Sequence, residues 1–134
     1  MKTIIVSTDF SPVSLNAVNF AADMALAIDA SLLLFNAYNV PVSYSDVPIV
    51  LVSVDELKKG SEQQLEALKN KVTHVTSGKV KIYTESRMGN TVDELEELCK
   101  KIQPFAVVMG AKGKTGLEKV VFGSTTLTAI RHLT

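Results

Sequence analysis

Glycines, lysines and hydroxyl residues crowd one segment near the C-terminal end of this 134-residue chain: Gly110-Ala-Lys112-Gly113-Lys114-Thr-Gly116, then Gly123-Ser124-Thr125-Thr126. Gly110 and Gly113 allow the backbone positive φ and a close approach to a ligand. Lys112 and Lys114 add positive charge. Gly123 to Thr126 opens a helical pattern carried by Leu127, Ile130 and Leu133. The first N–H groups of such a helix and its dipole favour an anion, and three hydroxyls supply further donors. Together the residues read as a phosphate cradle. The plainer alternative is that the glycines serve turns, Gly116 among them, and the lysines are solvated loop charges.

A second candidate lies near the start. Asp9 follows a short β-branched run, Thr3 to Ser7, and strand-end acids in layered α/β folds face the ligand crevice. It could equally cap the turn into the next helix. Arg87 and Asn90 flank a turn from which they could reach a pocket, although polar residues there commonly serve the turn itself. Cys99 falls on or near a buried helix face and reads as a small apolar core residue. His74 lies on a charged, solvated helix face running from Glu56 to Lys71 and beyond. His132 suits a helix C-terminus. Neither histidine has metal-ligand spacing, and no metal site built from protein side chains is expected.

These residues need elements to hold them. Thr3 to Ser7 reads as a buried strand. Ser11-Pro12 is a helix start, with Ser as cap and Pro at the first helical position. Leu15, Val18, Ala22, Ala25 and Leu26 then recur at helical spacing until Asp29-Ala30. Ser31 to Ala37 is a second buried strand. The stretch 39–54 is a long loop with Pro41 and Pro48, in which Ile49 to Val54 could pass for a strand. Asp55 looks like the cap of a helix to about Thr76, with Leu57, Leu65, Leu68 and Val72 on one face. Lys79 to Glu85 alternates as a strand near a sheet edge. Met88-Gly89-Asn90 is a turn, and Thr91 with Glu94 forms a capping-box pattern. Val92, Leu95, Leu98 and Ile102 give that helix its buried stripe, and Phe105 to Met109 is a last apolar strand. Strands alternating with helices imply right-handed crossovers and a parallel sheet covered on both faces.

Composition removes several function classes. Lys plus Arg equals Asp plus Glu at 14 each, so there is no broad basic face for nucleic acid. Aromatics make up 6% and Trp is absent, which argues against a stacking surface for single strands. A single cysteine rules out an internal disulfide. The opening MKTIIVSTDF lacks the long apolar core of a signal peptide. The longest apolar runs, Met24 to Ile28 and Phe105 to Met109, fall far short of the ~20 residues of a membrane span. The expected location is the cytoplasm, with no membrane and no nucleic-acid partner.

The glycine segment resembles the ATP-binding signature of the universal stress protein family. Gly110-x2-Gly113-x9-Gly123-Ser124 matches its spacing, and Val107 to His132 is similar to the family's stretch nearly throughout. Lys112 stands where many members have His, and Lys114 where many have Arg. Ile5 to Ser11 resembles the family's first strand and turn, with Ser7 in place of a common Pro. Leu33 to Ala37 resembles its second strand, with Asn36 for His and Ala37 for Val.

The resemblance implies a Rossmann-like, adenine nucleotide alpha hydrolase-like sheet with strand order 3-2-1-4 and helices on both faces. It implies an adenine nucleotide ligand, ATP first, with AMP or cyclic AMP as alternatives. Ser7, Thr8 and Asp9 would lie beside the adenosine, and Ala37 would meet the adenine through its backbone. Met109, Gly110, Lys112 and Gly113 would line the ribose and phosphates, and Gly123, Ser124, Thr125 and Thr126 would hold the phosphates. Mg²⁺ would arrive bridged by the phosphates. Family members continue into a fifth strand of the type PVLVV, which this sequence lacks. One domain over 1–134 is therefore expected, either a fragment or the N-terminal half of a tandem protein. An exposed edge on the fourth strand is expected too, open to a homodimer or a second domain of the same type.

A full P-loop is absent, and so is an obvious water-activating base beside the phosphate loop. Nucleotide binding with little or no hydrolysis, in a regulatory role, follows from that. A slow ATPase or phosphotransfer enzyme, with Asp9 positioning a metal, is the alternative. An interaction module without nucleotide is a third reading, which the intact glycine pattern disfavours.

Overall fold

The computed structural model describes residues 2–39, 54–110 and 118–122. Eight elements follow in order: β1 (Thr3–Ser7), α1 (Pro12–Ile28), β2 (Ser31–Tyr38), α2 (Val54–Val75), β3 (Ile82–Met88), α3 (Thr91–Ile102), β4 (Ala106–Gly110) and β5 (Glu118–Phe122). They build one sheet in the order β3-β2-β1-β4-β5. The first four strands are parallel, in the expected order 3-2-1-4.

Strand alternation divides the core into two layers. Ile4, Val6, Leu32, Leu34, Ala106 and Val108 face α1 and α2, whereas Ile5, Leu33, Phe35 and Val107 face α3. α1 meets the sheet through Ala17, Ala21, Ala22 and Ala25, all nearly fully buried. Small side chains let this helix lie close to β1 and β4. Ala21→Leu would overpack that contact, at a cost of about 1–3 kcal/mol. α2 packs through Leu65, Leu68 and Val72, and α3 through Leu95, Leu98 and Cys99. The crossover from β3 to β4 runs in the opposite direction along the sheet from the two before it. A right-handed connection therefore places α3 on the opposite face.

Local signals act as the sequence suggests at α1. The Ser11 hydroxyl accepts the Ser14 N–H, Pro12 occupies the first turn, and Asp29 ends the helix in the left-handed region at φ 57°. At α3 the cap is Asn90, not Thr91: its side chain accepts the N–H groups of Val92 and Asp93. α2 starts at Val54, which places Asp55 within the first turn. Of the possible strand Ile49 to Val54, Val54 is helical, and the rest lies with residues 40–53 outside the described residues. Leu26, counted in the α1 stripe, is 41% exposed, outside the face of Ser14, Ala17, Val18, Ala21, Ala22 and Ala25 that the helix buries. β3 begins at Ile82 and takes in Met88, and its alternation fails after Tyr83, with Thr84 exposed.

The largest departure is β5. Four parallel strands were expected, with β4 open at one edge. Instead, Glu118–Phe122 pairs antiparallel with β4, Val108 opposite Val120, and covers that edge. This strand comes from the segment read as a continuous loop between Gly110 and Gly123. β3 lies at the opposite edge, as its patterning suggested.

Candidate functional site

At β1 the strand order turns back, since the chain adds β2 and β3 on one side and β4 on the other. Crevices at such points, outside the carboxyl ends of the strands, are where open α/β sheets bind ligands. A cavity of about 140 Å³ lies there, lined by Ser7, Thr8, Asp9, Asn36, Ala37, Thr91 and Met109. Each residue comes from the end of a strand or the start of a helix: β1, β2, β4 and the first turn of α3.

The turn from β1 into α1 is bonded at nearly every residue. The Thr8 N–H donates to the Phe35 carbonyl at 2.8 Å, which extends the β1–β2 ladder past the strand. The Phe10 N–H donates to Thr8 Oγ1 at 3.0 Å. Ser14 Oγ donates to the Ser11 carbonyl at 3.0 Å and lies 2.9 Å from Thr8 Oγ1. A hydroxyl has one proton, so Thr8 Oγ1 must be the donor of that pair. Phe10 sits at φ 66°, a strained conformation for a residue with a bulky side chain.

Asp9 projects from this turn. Its Oδ1 accepts the Ser11 N–H at 2.9 Å. Partial burial pushes the carboxyl upward, but the hydrogen bonds it accepts, those from Ser11 first, outweigh it and hold the group below its ordinary value of 3.8. Asp9 is thus an anion at neutral pH and can only accept hydrogen bonds. Ala37 and Met109 supply half-buried apolar surface on the other side.

The structure brings together Ser7, Thr8, Asp9, Ala37 and Met109 from the residues singled out in the sequence. Gly110 ends β4 one residue beyond Met109. Lys112, Gly113, Gly123, Ser124, Thr125 and Thr126 lie outside the described residues. Two lining residues, Asn36 and Thr91, were not picked out as site residues. Asn36 was detectable as the one polar side chain between Leu32 and Ala37. Thr91 was detectable as the first helical residue after a strand's carboxyl end.

Arg87 and Asn90 are engaged by partners outside the cavity lining. Arg87 Nε lies 3.6 Å from Glu85, and its Nη1 lies 3.8 Å from both Glu94 and Glu97. Asn90 is occupied as the α3 cap. Cys99 is buried, and burial together with the nearby Glu96 charge pushes its thiol up to about 11, which leaves it a poor nucleophile. Among the described residues no group of three or more His, Cys, Asp or Glu could hold a metal ion, and no helix is long and apolar enough to cross a membrane.

The universal stress protein family model matches residues 1–134. The chain belongs to the universal stress protein family. A universal stress protein of Methanocaldococcus jannaschii is 35% identical to it over 138 residues, covering 98% of this chain and 76% of the relative. Among solved structures, a universal stress protein of Lactobacillus plantarum superposes with a TM-score of 0.70 at 20% identity, covering 98% of this chain and 91% of the other. That likeness shows the shared fold. A universal stress protein in complex with cyclic AMP superposes with a TM-score of 0.55 at 26% identity, over 78% of this chain and 72% of the other.

Proposed function

We propose that this universal stress protein domain binds an adenine nucleotide, ATP first, in the crevice at β1, and acts as a cytoplasmic regulatory domain with little or no hydrolysis. One observation carries the reading. The cavity at the carboxyl edge pairs an ionised acceptor, Asp9, with the hydroxyl residues Thr8 and Thr91 and the apolar surface of Ala37 and Met109. That donor set fits a nucleoside: the carboxylate accepts from sugar hydroxyls, and the apolar side takes the base. Family membership and a relative solved with cyclic AMP support the same ligand class.

In this reading Met109, Gly110, Lys112 and Gly113 line the ribose and phosphates, Gly123, Ser124, Thr125 and Thr126 hold the phosphates, and Mg²⁺ is carried by the phosphates rather than by protein side chains. No side chain is assigned to activate water. The unit is a single domain over 1–134, working as a homodimer or beside a second domain of the same type.

Thermal unfolding with ATP and Mg²⁺, AMP and cyclic AMP tests the binding. A ligand at a hundred times its Kd adds about 2.7 kcal/mol, a rise in Tm of roughly 10 °C for a domain of this size. No rise at millimolar concentration of any of the three removes the proposal. Phosphate release above background that disappears in Asp9→Ala would replace a regulatory domain with a slow ATPase.

A further inference from the structure

Asn36 is nearly buried in a strand whose preceding four residues are apolar, where an unpaired amide is costly. Both ends of it are bonded. Its Nδ2 donates to the Thr8 carbonyl at 2.7 Å. Its Oδ1 accepts from Ser61 Oγ of α2 at 2.7 Å, and Ser61 Oγ in turn accepts from Ser86 Oγ of β3 at 2.7 Å. The Thr8 carbonyl can only accept, so the amide must face it with its nitrogen. That fixes the carboxamide orientation and the direction of every proton out to Ser86.

The consequence lies in what the chain of bonds connects. At one end it holds the carbonyl of the Thr8–Asp9 peptide, and the peptide before it is already fixed by the Thr8 N–H to the Phe35 carbonyl. At the other it reaches β3 a few residues before Gly89 and Thr91, on the opposite wall of the cavity. Ser61 and Ser86 do not line the cavity themselves.

We infer that Asn36 is a positioning residue for the nucleotide site, setting the Thr8–Asp9 peptide and, through Ser61 and Ser86, its separation from Thr91. This rests on the nucleotide reading above. It makes ligand affinity depend on two serines that touch no ligand. Fully satisfied buried networks of this kind specify one geometry, and half-satisfied ones lose it.

The test combines calorimetric titration of ATP with Mg²⁺, and of cyclic AMP, with amide hydrogen exchange on the ligand-free protein. Asn36→Leu should weaken binding about tenfold or more. Ser61→Ala should weaken it severalfold, and Ser61→Thr, which keeps the hydroxyl, should bind like the unsubstituted protein. In the ligand-free protein, Asn36→Leu should speed exchange at Phe10 and Ser11 about tenfold relative to core amides such as Leu34. A side chain with only a stability role would speed core amides equally. Folded Asn36→Leu and Ser61→Ala that bind within about twofold of the unsubstituted protein overturn the inference. If Asn36→Leu does not fold, Ser61→Ala alone decides. If the unsubstituted protein binds neither nucleotide, the functional proposal fails, and exchange at Phe10 and Ser11 that Ser61→Ala leaves unchanged sinks the positioning role as well.

Discussion

The two walls of the cavity are built by different physics. On the β1 side, Thr8, Phe10, Ser11, Ser14 and Asn36 are held by short neutral hydrogen bonds, several of them buried. On the β3–α3 side, Arg87 sits among three carboxylates at 3.6–3.8 Å, one of them on a mostly exposed Glu97, and Gly89 turns the chain at φ 139°. Neutral bonds in a low-dielectric setting are short-ranged, directional and indifferent to salt. Loose ion pairs near solvent tolerate movement and are screened. The first wall is thus a fixed reference; the second is held to it at Ser86 and carries its adjustable contacts beyond that point, at Arg87 and its three carboxylates.

Thr8→Val tests the fixed wall and should have the largest effect. It strips the Phe10 and Ser14 partners from a nearly buried turn, costing about 3 kcal/mol, read as a lower denaturant midpoint with an unchanged slope. A loss below about 1 kcal/mol would show that the turn repacks freely, and the contrast between the walls would go.

Gly89→Ala comes next, at about 2 kcal/mol. The backbone at φ 139° suits only glycine, and an added Cβ would lie 3.1 Å from the Glu94 side chain. Arg87→Met should cost about 0.5 kcal/mol at low salt and nothing measurable in 1 M NaCl. A large, salt-independent loss there would make the second wall as rigid as the first.

The smallest expected effect is pH-dependent. Because the folded Asp9 carboxyl lies below its ordinary 3.8, the unfolded chain takes up that proton first as pH falls. Asp9 therefore adds stability above pH 3.8, and the contribution disappears as pH drops through the folded value. Acid unfolding of Asp9→Asn beside the unsubstituted protein should show curves that converge at the acid end. Curves that stay parallel would show that the Ser11 bonds do not favour the carboxylate.

How much of this was legible in the sequence varied with the range of the interaction. β1 could be bounded at both ends, because an apolar run stops at a turn-forming Thr-Asp pair. The start of α1 was written in Ser11-Pro12. Asn90 and Thr91 are both good caps and stand side by side, so only geometry could choose between them. β5 was hidden for another reason. Its strand character depends on β4 as partner, and its flanking glycines suggested a continuous loop. At the site, Asp9 could be found from its place at a strand end. The role of Asn36 needed Ser61, twenty-five positions away, to be visible. The phosphate segment stays a reading of sequence alone, since Lys112, Gly113 and Gly123 to Thr126 lie outside the described residues.

β1 also sets the order in which the molecule can be made. Its register places Ile4 beside Ala106, on a strand the ribosome supplies only after every other parallel strand has emerged. Until then a central strand with a wholly apolar middle, Ile4 to Val6, can pair with β2 on one side while its other side stays open. Such long-range closure is slow, and an unpaired inner edge invites wrong partners. The nascent chain is thus most prone to aggregate in the interval before β4 arrives, and the same late pairing completes the binding crevice.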